Sequence, residues 1–522
     1  MSRSITQAAL VIMVINIMSR LLGFGREAVI ANEFGATYLT DAYLLAYTLP
    51  YFLQAVLGMA LVSSIVPVVT KHLVQGEQEE AWRIASITLN WTALFMTVFT
   101  ACGILGAELL VKVTAPGFDE VTAGLATQLT MLMFPSVIFM GVAQLITGIL
   151  NARKSFAVAA FAPAFSSIII IFAVLLFGSF GIQYLAWGTF FSFVGALLIQ
   201  LPALKKVGFR YYWDWDLRHP EVKVLFYNLL PIFIGTAVNQ IYLMINRFFA
   251  SGLAEGSISA LNYAGKLMNL PMGIFALAIS TVIFPTLSEQ SFQGNRLELG
   301  KTLTRGLKLV LLITLPAAAG LMALKTPIVK LLFERGAFDA VATQMTADAL
   351  FYFCVGMFAM AMIMVITRAY YALGDVRTPL YLGLLSILVN VVVSMALMPV
   401  LAHSGLALAN TVAAIFNAVA MYILLKRHLP RLFLRDLARS VVKSLSGSLL
   451  TAFCALGMYS LLSQTVFGGE EIKVLLVKIV VSVGAGVVVY ALSLLLLREE
   501  ETVAFLQKIR GFKNKAEMKK ER

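Results

Sequence analysis

The sequence predicts an all-α protein that crosses a membrane about 14 times, and three observations carry that expectation. The 522-residue chain is 60% hydrophobic and only 13% charged, whereas soluble domains run at roughly half apolar and a quarter charged. Its mean hydropathy is +0.87. The apolar residues also come in long runs, such as Ser166 to Phe177 and Val474 to Leu497, and a helix needs about 20 of them to cross a bilayer core of roughly 30 Å.

Charged residues and Gly/Pro clusters break these runs into spans. The spans centre near Val14, Leu53, Ala93, Met133, Ile168, Phe193, Ile234, Ile274, Leu312, Met357, Leu388, Ala414, Leu450 and Gly484. The first stretch lacks an Ala-x-Ala end and runs on into Gly and Arg, so it reads as a span and not as a cleaved signal.

The net charge of +13 raises a nucleic-acid partner, but the basic residues form no single patch. They lie in short stretches between apolar segments, as in cytoplasmic loops. With both ends cytoplasmic, the loops holding Lys71/Arg83, Arg153/Lys154, Lys205 to Lys223, Arg296 to Lys308, Arg377 and Lys426 to Lys443 all fall inside. So does the tail from Lys508 to Arg522, which either lies against anionic lipid head groups or remains a solvated end. Cys102, Cys354 and Cys454 lie in apolar segments without metal-type spacing and read as unpaired.

A weak repeat divides the chain. The stretch ITGILNARKSFAVAAFAPAF from Ile146 resembles ITRAYYALGDVRTPLYLGLL from Ile366. Each ends a span, turns through a basic loop, meets a proline (Pro163, Pro379) and starts the next span. The offset is roughly 220 residues, and repeated halves are a common transporter plan. Residues 1–215 (helices 1–6) and 216–430 (helices 7–12) form two lobes, 431–500 adds helices 13–14, and 501–522 is the basic tail.

No catalytic set emerges. The sequence has no P-loop, no Cys/His cluster and no G-x-S-x-G, and His72, His219, His403 and His428 fall far apart in loops. The chain is therefore not expected to be an enzyme.

Intramembrane charge stands out instead, because a charge at bilayer depth is costly and usually faces a cavity or a partner. Span 1 carries Arg20 and Arg26 in SRLLGFGRE. On a straight helix they lie about 120° apart. Gly23 and Gly25 between them form a candidate hinge that would let both guanidiniums converge on one anion. Guanidinium grips phosphate in bidentate fashion at any working pH. Alternatively, Arg26 reaches the outer interface and pairs with Glu27. Asp41 opens span 2 and either orients an arginine or caps its helix. Lys266 lies within an apolar span as a cavity-facing cation. Arg247 lies nearer the end of its span, with cavity and interface both open, and Arg368 reads as structural or interfacial.

With these residues in place, the chain resembles the MurJ (MviN) family of lipid II flippases. The motifs are SRLLGFGREAVIANEFGAT then TDAY, VTAPGF from Val113, and GILNARKSFAVAAFAPAF from Gly148. NRFFAS from Asn246, YAGKLMNLPMGIFALAISTVIFPTLS from Tyr263, LFERGAF from Leu332 and RAYYALGDVRTP from Arg368 complete the set. The resemblance implies fourteen helices of the multidrug/oligosaccharidyl-lipid/polysaccharide exporter type. Two six-helix lobes would enclose a central cationic cavity, and helices 13–14 would form a lipid-facing groove.

The implied substrate is undecaprenyl-pyrophosphate carrying the disaccharide-pentapeptide, flipped to the outer leaflet of the bacterial cytoplasmic membrane by alternating access. The family's cavity cations fall by position on Arg20, Arg26 and Lys266, with Asp41 as the associated acid. Many members have arginine where Lys266 stands. Gln54 stands where many have an arginine after the LP motif, and Arg247 is the candidate replacement.

Some members carry an acid four residues after an asparagine in span 11, linked to sodium; here Asn390 is followed by Ser394, so sodium coupling is not implied. No cofactor is expected beyond dependence on the membrane potential or a monovalent cation. An inside-negative potential biases a cationic empty site by about 2.3 kcal/mol per charge per 100 mV. Membrane lipids and cell-wall synthesis proteins are the candidate partners. The competing readings are an exporter of another polyprenyl-linked glycan and a non-transporting envelope-assembly scaffold, the second of which needs no buried charge.

Overall fold

The computed structural model describes residues 2–429, 433–464, 471–499 and 501. The basic residues of the C-terminal tail fall outside the described residues. Helices joined by short turns make up the described chain. They are α1 (Ser2–Phe34), α2 (Tyr38–Val74), α3 (Gln78–Leu105), α4 (Ala107–Thr114), α5 (Glu120–Met133) and α6 (Ser136–Ala152). Next come α7 (Phe156–Phe177), α8 (Ile182–Leu198), α9 (Leu201–Lys206), α10 (Pro220–Ala250), α11 (Ser257–Pro271) and α12 (Leu277–Phe292). The series ends with α13 (Arg296–Ala323), α14 (Lys325–Phe333), α15 (Ala340–Ala372), α16 (Arg377–Leu424), α17 (Leu434–Gln464) and α18 (Ile472–Leu496).

Ten of these helices are long and apolar enough to cross a membrane, or eleven if α5 and α6, bent by 44° at their junction, make one span. One of the ten, α16, holds two limbs, joined where Ala402 adopts φ 48° and ψ −131°. Outside that set, α1 and α10 have 33 and 31 residues. The chain is a multi-pass membrane protein.

The chain groups into two compact units. The first is Met1–Ser259 with Arg335–Ala342; the second is Ala260–Glu334 with Thr343–Arg522. The first therefore runs past the expected lobe boundary at 215, because α10 packs along α2.

In the first unit α1 packs on α7, and α2 packs on α5, α6 and α10. Its buried core includes Ile65, Trp82, Leu145, Ile149 and Leu225. The segment 207–219 lies along α3 as an extended strap. The strap's Asp214 carbonyl accepts from Asn90 (2.8 Å), its Tyr212 amide donates to Ser86, and Trp91 stacks edge-on against Trp215. Arg83 Nε pairs with Asp214, midway along the strap, at 2.6 Å.

In the second unit α13 packs against α17, and α17 against α18. Ser440, Ser444, Ser448 and Thr451 recur at turn spacing along α17 and are all buried. Opposite them on α18, the Tyr490 hydroxyl donates to the Leu312 carbonyl of α13 at 2.7 Å and meets Ser444 at 2.7 Å. Gly447 and Gly486 keep the two backbones close, since a Cβ at either would press on Ser493 or Thr451.

The repeat appears in the order of elements. Each half has a long helix, α3 or α13, followed by a short one, α4 or α14, and then a turn closed by an aspartate. Asp119 accepts from the Val121 and Thr122 amides, and Asp339 accepts from the Ala342 amide. These aspartates stand at the same offset, roughly 220 residues, as the sequence repeat.

Candidate substrate site

The site begins at the turn between α1 and α2. Gly35 has φ +65° and ends α1. Four residues into α2, Asp41 is 4% exposed and accepts three hydrogen bonds. They come from the Gly256 amide (2.9 Å), the Ser259 amide (2.8 Å) and the Ser259 hydroxyl (2.5 Å). Gly256 has φ +81° and lies so close to the Ala36 carbonyl that a side chain has no room. Asp41 therefore holds the 256–259 turn, a third role beside the two left open for it.

Arg247 is near the end of α10 and 7% exposed. Its Nη1 donates to the Ile258 carbonyl at 3.3 Å, and its charge is within electrostatic reach of Asp41 and Glu27. Nη1 ties the guanidinium to this turn, while Nε makes no hydrogen bond among the described residues.

Arg26 pairs through Nη2 with Glu27 Oε1 at 2.7 Å, and the side chains are 18% and 6% exposed. The ion pair with Glu27 that one alternative for Arg26 includes is present. Two guanidiniums and two carboxylates thus balance at this end of the unit, as buried charges require.

Arg20 is exposed. The helix α1 runs unbroken through Gly23 and Gly25, and a Cβ at either would touch nothing. The expected hinge is not opened here. On continuous helix Arg20 and Arg26 point in directions about 120° apart, so they do not converge in this conformation.

Gln54 is half-buried and lines a small pocket with Gln144 and Met96. Two glycines shape the space beside it: a Cβ on Gly58 would meet Gln144, and one on Gly141 would meet Met96, both at 2.9 Å. In the second unit Lys266 is exposed on α11. Arg368 lies over the Phe284 ring at 5.5 Å, which fits the structural alternative. Asn390 is fully buried and donates to Asn410 at 3.0 Å, between the two limbs of α16.

Sequence reasoning missed a ladder of rings on α2. Tyr43 and Tyr47 stack with centroids 6.1 Å apart and planes at 25°, and Tyr47 and Tyr51 at 5.5 Å and 23°. The signal was present in AYLLAYTLPY, whose tyrosines recur every fourth residue. The Tyr43 hydroxyl bonds Thr189 at 2.8 Å.

A family model described as "Lipid II flippase MurJ" matches residues 30–496. The chain belongs to the MurJ family. The lipid II flippase MurJ of Burkholderia cenocepacia is 30% identical over 81% of this chain and 84% of its own length. The probable lipid II flippase MurJ of Rhizobium meliloti is 32% identical over 77% of each chain. A solved structure of the lipid II flippase MurJ in an inward closed conformation superposes with a TM-score of 0.78 at 26% identity, covering 94% of this chain and 99% of that one. An inward-facing MATE multidrug transporter shares the fold, with a TM-score of 0.67 at 16% identity. The MurJ model takes in Asp41, Gln54, Arg247 and Lys266; Arg20 and Arg26 precede the matched stretch.

Proposed function

We propose that this protein flips the lipid-linked peptidoglycan precursor from the cytoplasmic to the outer leaflet of the bacterial cytoplasmic membrane. The observation that carries the proposal is the match to the MurJ model along most of the chain. The substrate is undecaprenyl-pyrophosphate bearing the disaccharide-pentapeptide, and alternating access moves it.

Arg20, Arg26 and Lys266 bind the pyrophosphate, as cations on apolar helices. Asp41 and Arg247 hold the 256–259 turn. The 431–500 helices take the polyprenyl chain. The two lobes, both cytoplasmic termini and a return step biased by the membrane potential complete the proposal.

The test is depletion and rescue. Depleting the protein should accumulate lipid-linked precursor on the cytoplasmic leaflet. Arg20→Ala, Arg26→Ala and Lys266→Ala variants, verified for insertion, should fail to restore flipping. Rescue by all three would overturn the cationic site, and no accumulation on depletion would overturn the flippase reading.

A further inference from the structure

We propose that the open end of the tyrosine ladder, Tyr47 and Tyr51, is a subsite for a sugar ring of the lipid-linked glycan. This deepens the flippase reading and rests on it.

Positions 43, 47 and 51 share one face of α2 because residues four apart stack along a helix. The ladder has a fixed end and an open end. Tyr43 is 4% exposed and tied to Thr189, whereas Tyr51 is 36% exposed. Among the described residues no protein group hydrogen-bonds the hydroxyls of Tyr47 or Tyr51. Gln54 continues the same face one turn further. Next to this face, the Arg26 guanidinium is within electrostatic reach of both Tyr47 and Tyr43.

A pyranose matches such a surface. One side of the ring presents C–H bonds of partial positive charge, which suit the negative face of an aromatic ring. Its rim presents hydroxyls, which suit free phenol groups.

An aromatic belt at the membrane interface is the competing explanation for tyrosines on a span. Two features count against it. The ladder runs about 12 Å along the helix, and its rings stack on one another and not outward singly.

The experiment uses the full chain in lipid nanodiscs and two probes, undecaprenyl pyrophosphate with and without its disaccharide. The wild-type protein should prefer the glycosylated probe. Tyr51→Ala should weaken that probe by about three- to tenfold, the scale of one aromatic contact, and leave the sugar-free probe unchanged. Tyr51→Phe should keep most of the preference. Tyr51→Leu, which retains apolar bulk, should behave like Tyr51→Ala and guards against a packing effect. Equal weakening of both probes, or no change in either, overturns the subsite. A wild-type protein that binds both probes equally also overturns it while leaving the flippase reading standing; one that binds neither removes both.

Discussion

Replacing Asp41 by alanine should destabilise the first unit by about 4 kcal/mol. The carboxylate accepts from two backbone amides and one hydroxyl, all buried. Each buried donor left without a partner costs about 1–3 kcal/mol. The Ser259 hydroxyl can turn elsewhere, so the two amides dominate. Arg247 also loses one of its two negative neighbours, but Glu27 remains within reach, which keeps the loss below the roughly 3–5 kcal/mol of a fully orphaned buried charge. Unfolding in mild detergent should then rank the variants Asp41→Ala, Asp41→Asn and Ser259→Ala from most to least damaging. A double variant, Asp41→Ala with Arg247→Met, should lose less than the sum of its parts, because it removes both charges of a coupled set. Wild-type stability for Asp41→Ala, or strict additivity in the pair, would refute the reasoning.

Three further outcomes follow from the geometry. Gly256→Ala should cost about 1–3 kcal/mol from strained backbone alone, and more from contact with the Ala36 carbonyl; normal stability in detergent would contradict it. Tyr490→Phe loses the bonds to Leu312 and Ser444 and should loosen α18 by about 1 kcal/mol, read as faster hydrogen exchange in α17 and α18. The hydrogen bond from Arg83 holds the Asp214 carboxyl below its ordinary value of 3.8. A depressed acid contributes above its unfolded pKa and stops contributing as pH falls through its folded one. The strap should therefore resist proteolysis from neutral pH down to about 4, and release near pH 6 would show that another group holds it.

Much of the fold was legible because bilayer thickness fixes how long an apolar helix must be. The alternation of apolar runs with basic loops and the repeated stretches from Ile146 and Ile366 leave marks in local sequence. Lobe assignment was not legible at α10, since packing against α2 is a long-range property. Arg26, Asp41, Arg247 and Lys266 were visible in the sequence as charges on apolar helices, where cost draws attention. Their partners were not, because the acceptors and donors at Ile258, Gly256 and Ser259 are mostly backbone groups, which every residue carries. Gly23 and Gly25 permit a bend without requiring one, and α1 is continuous through both. The tyrosine ladder was missed because aromatics on a span are ordinary, and only their spacing sets these apart.

The polar seam joining α13, α17 and α18 has a consequence for temperature. Helices already surrounded by lipid bury no further surface from water when they associate, so close contact and hydrogen bonds must hold them together. Here those are the Ser444–Tyr490–Leu312 links and the glycine approaches at Gly447 and Gly486. Apolar hydration is what gives folding its large heat-capacity change and weakens burial on cooling. A joint built without it should have a nearly flat stability curve, as firmly seated in the cold as at growth temperature, while the water-facing strap along α3 follows the usual dome.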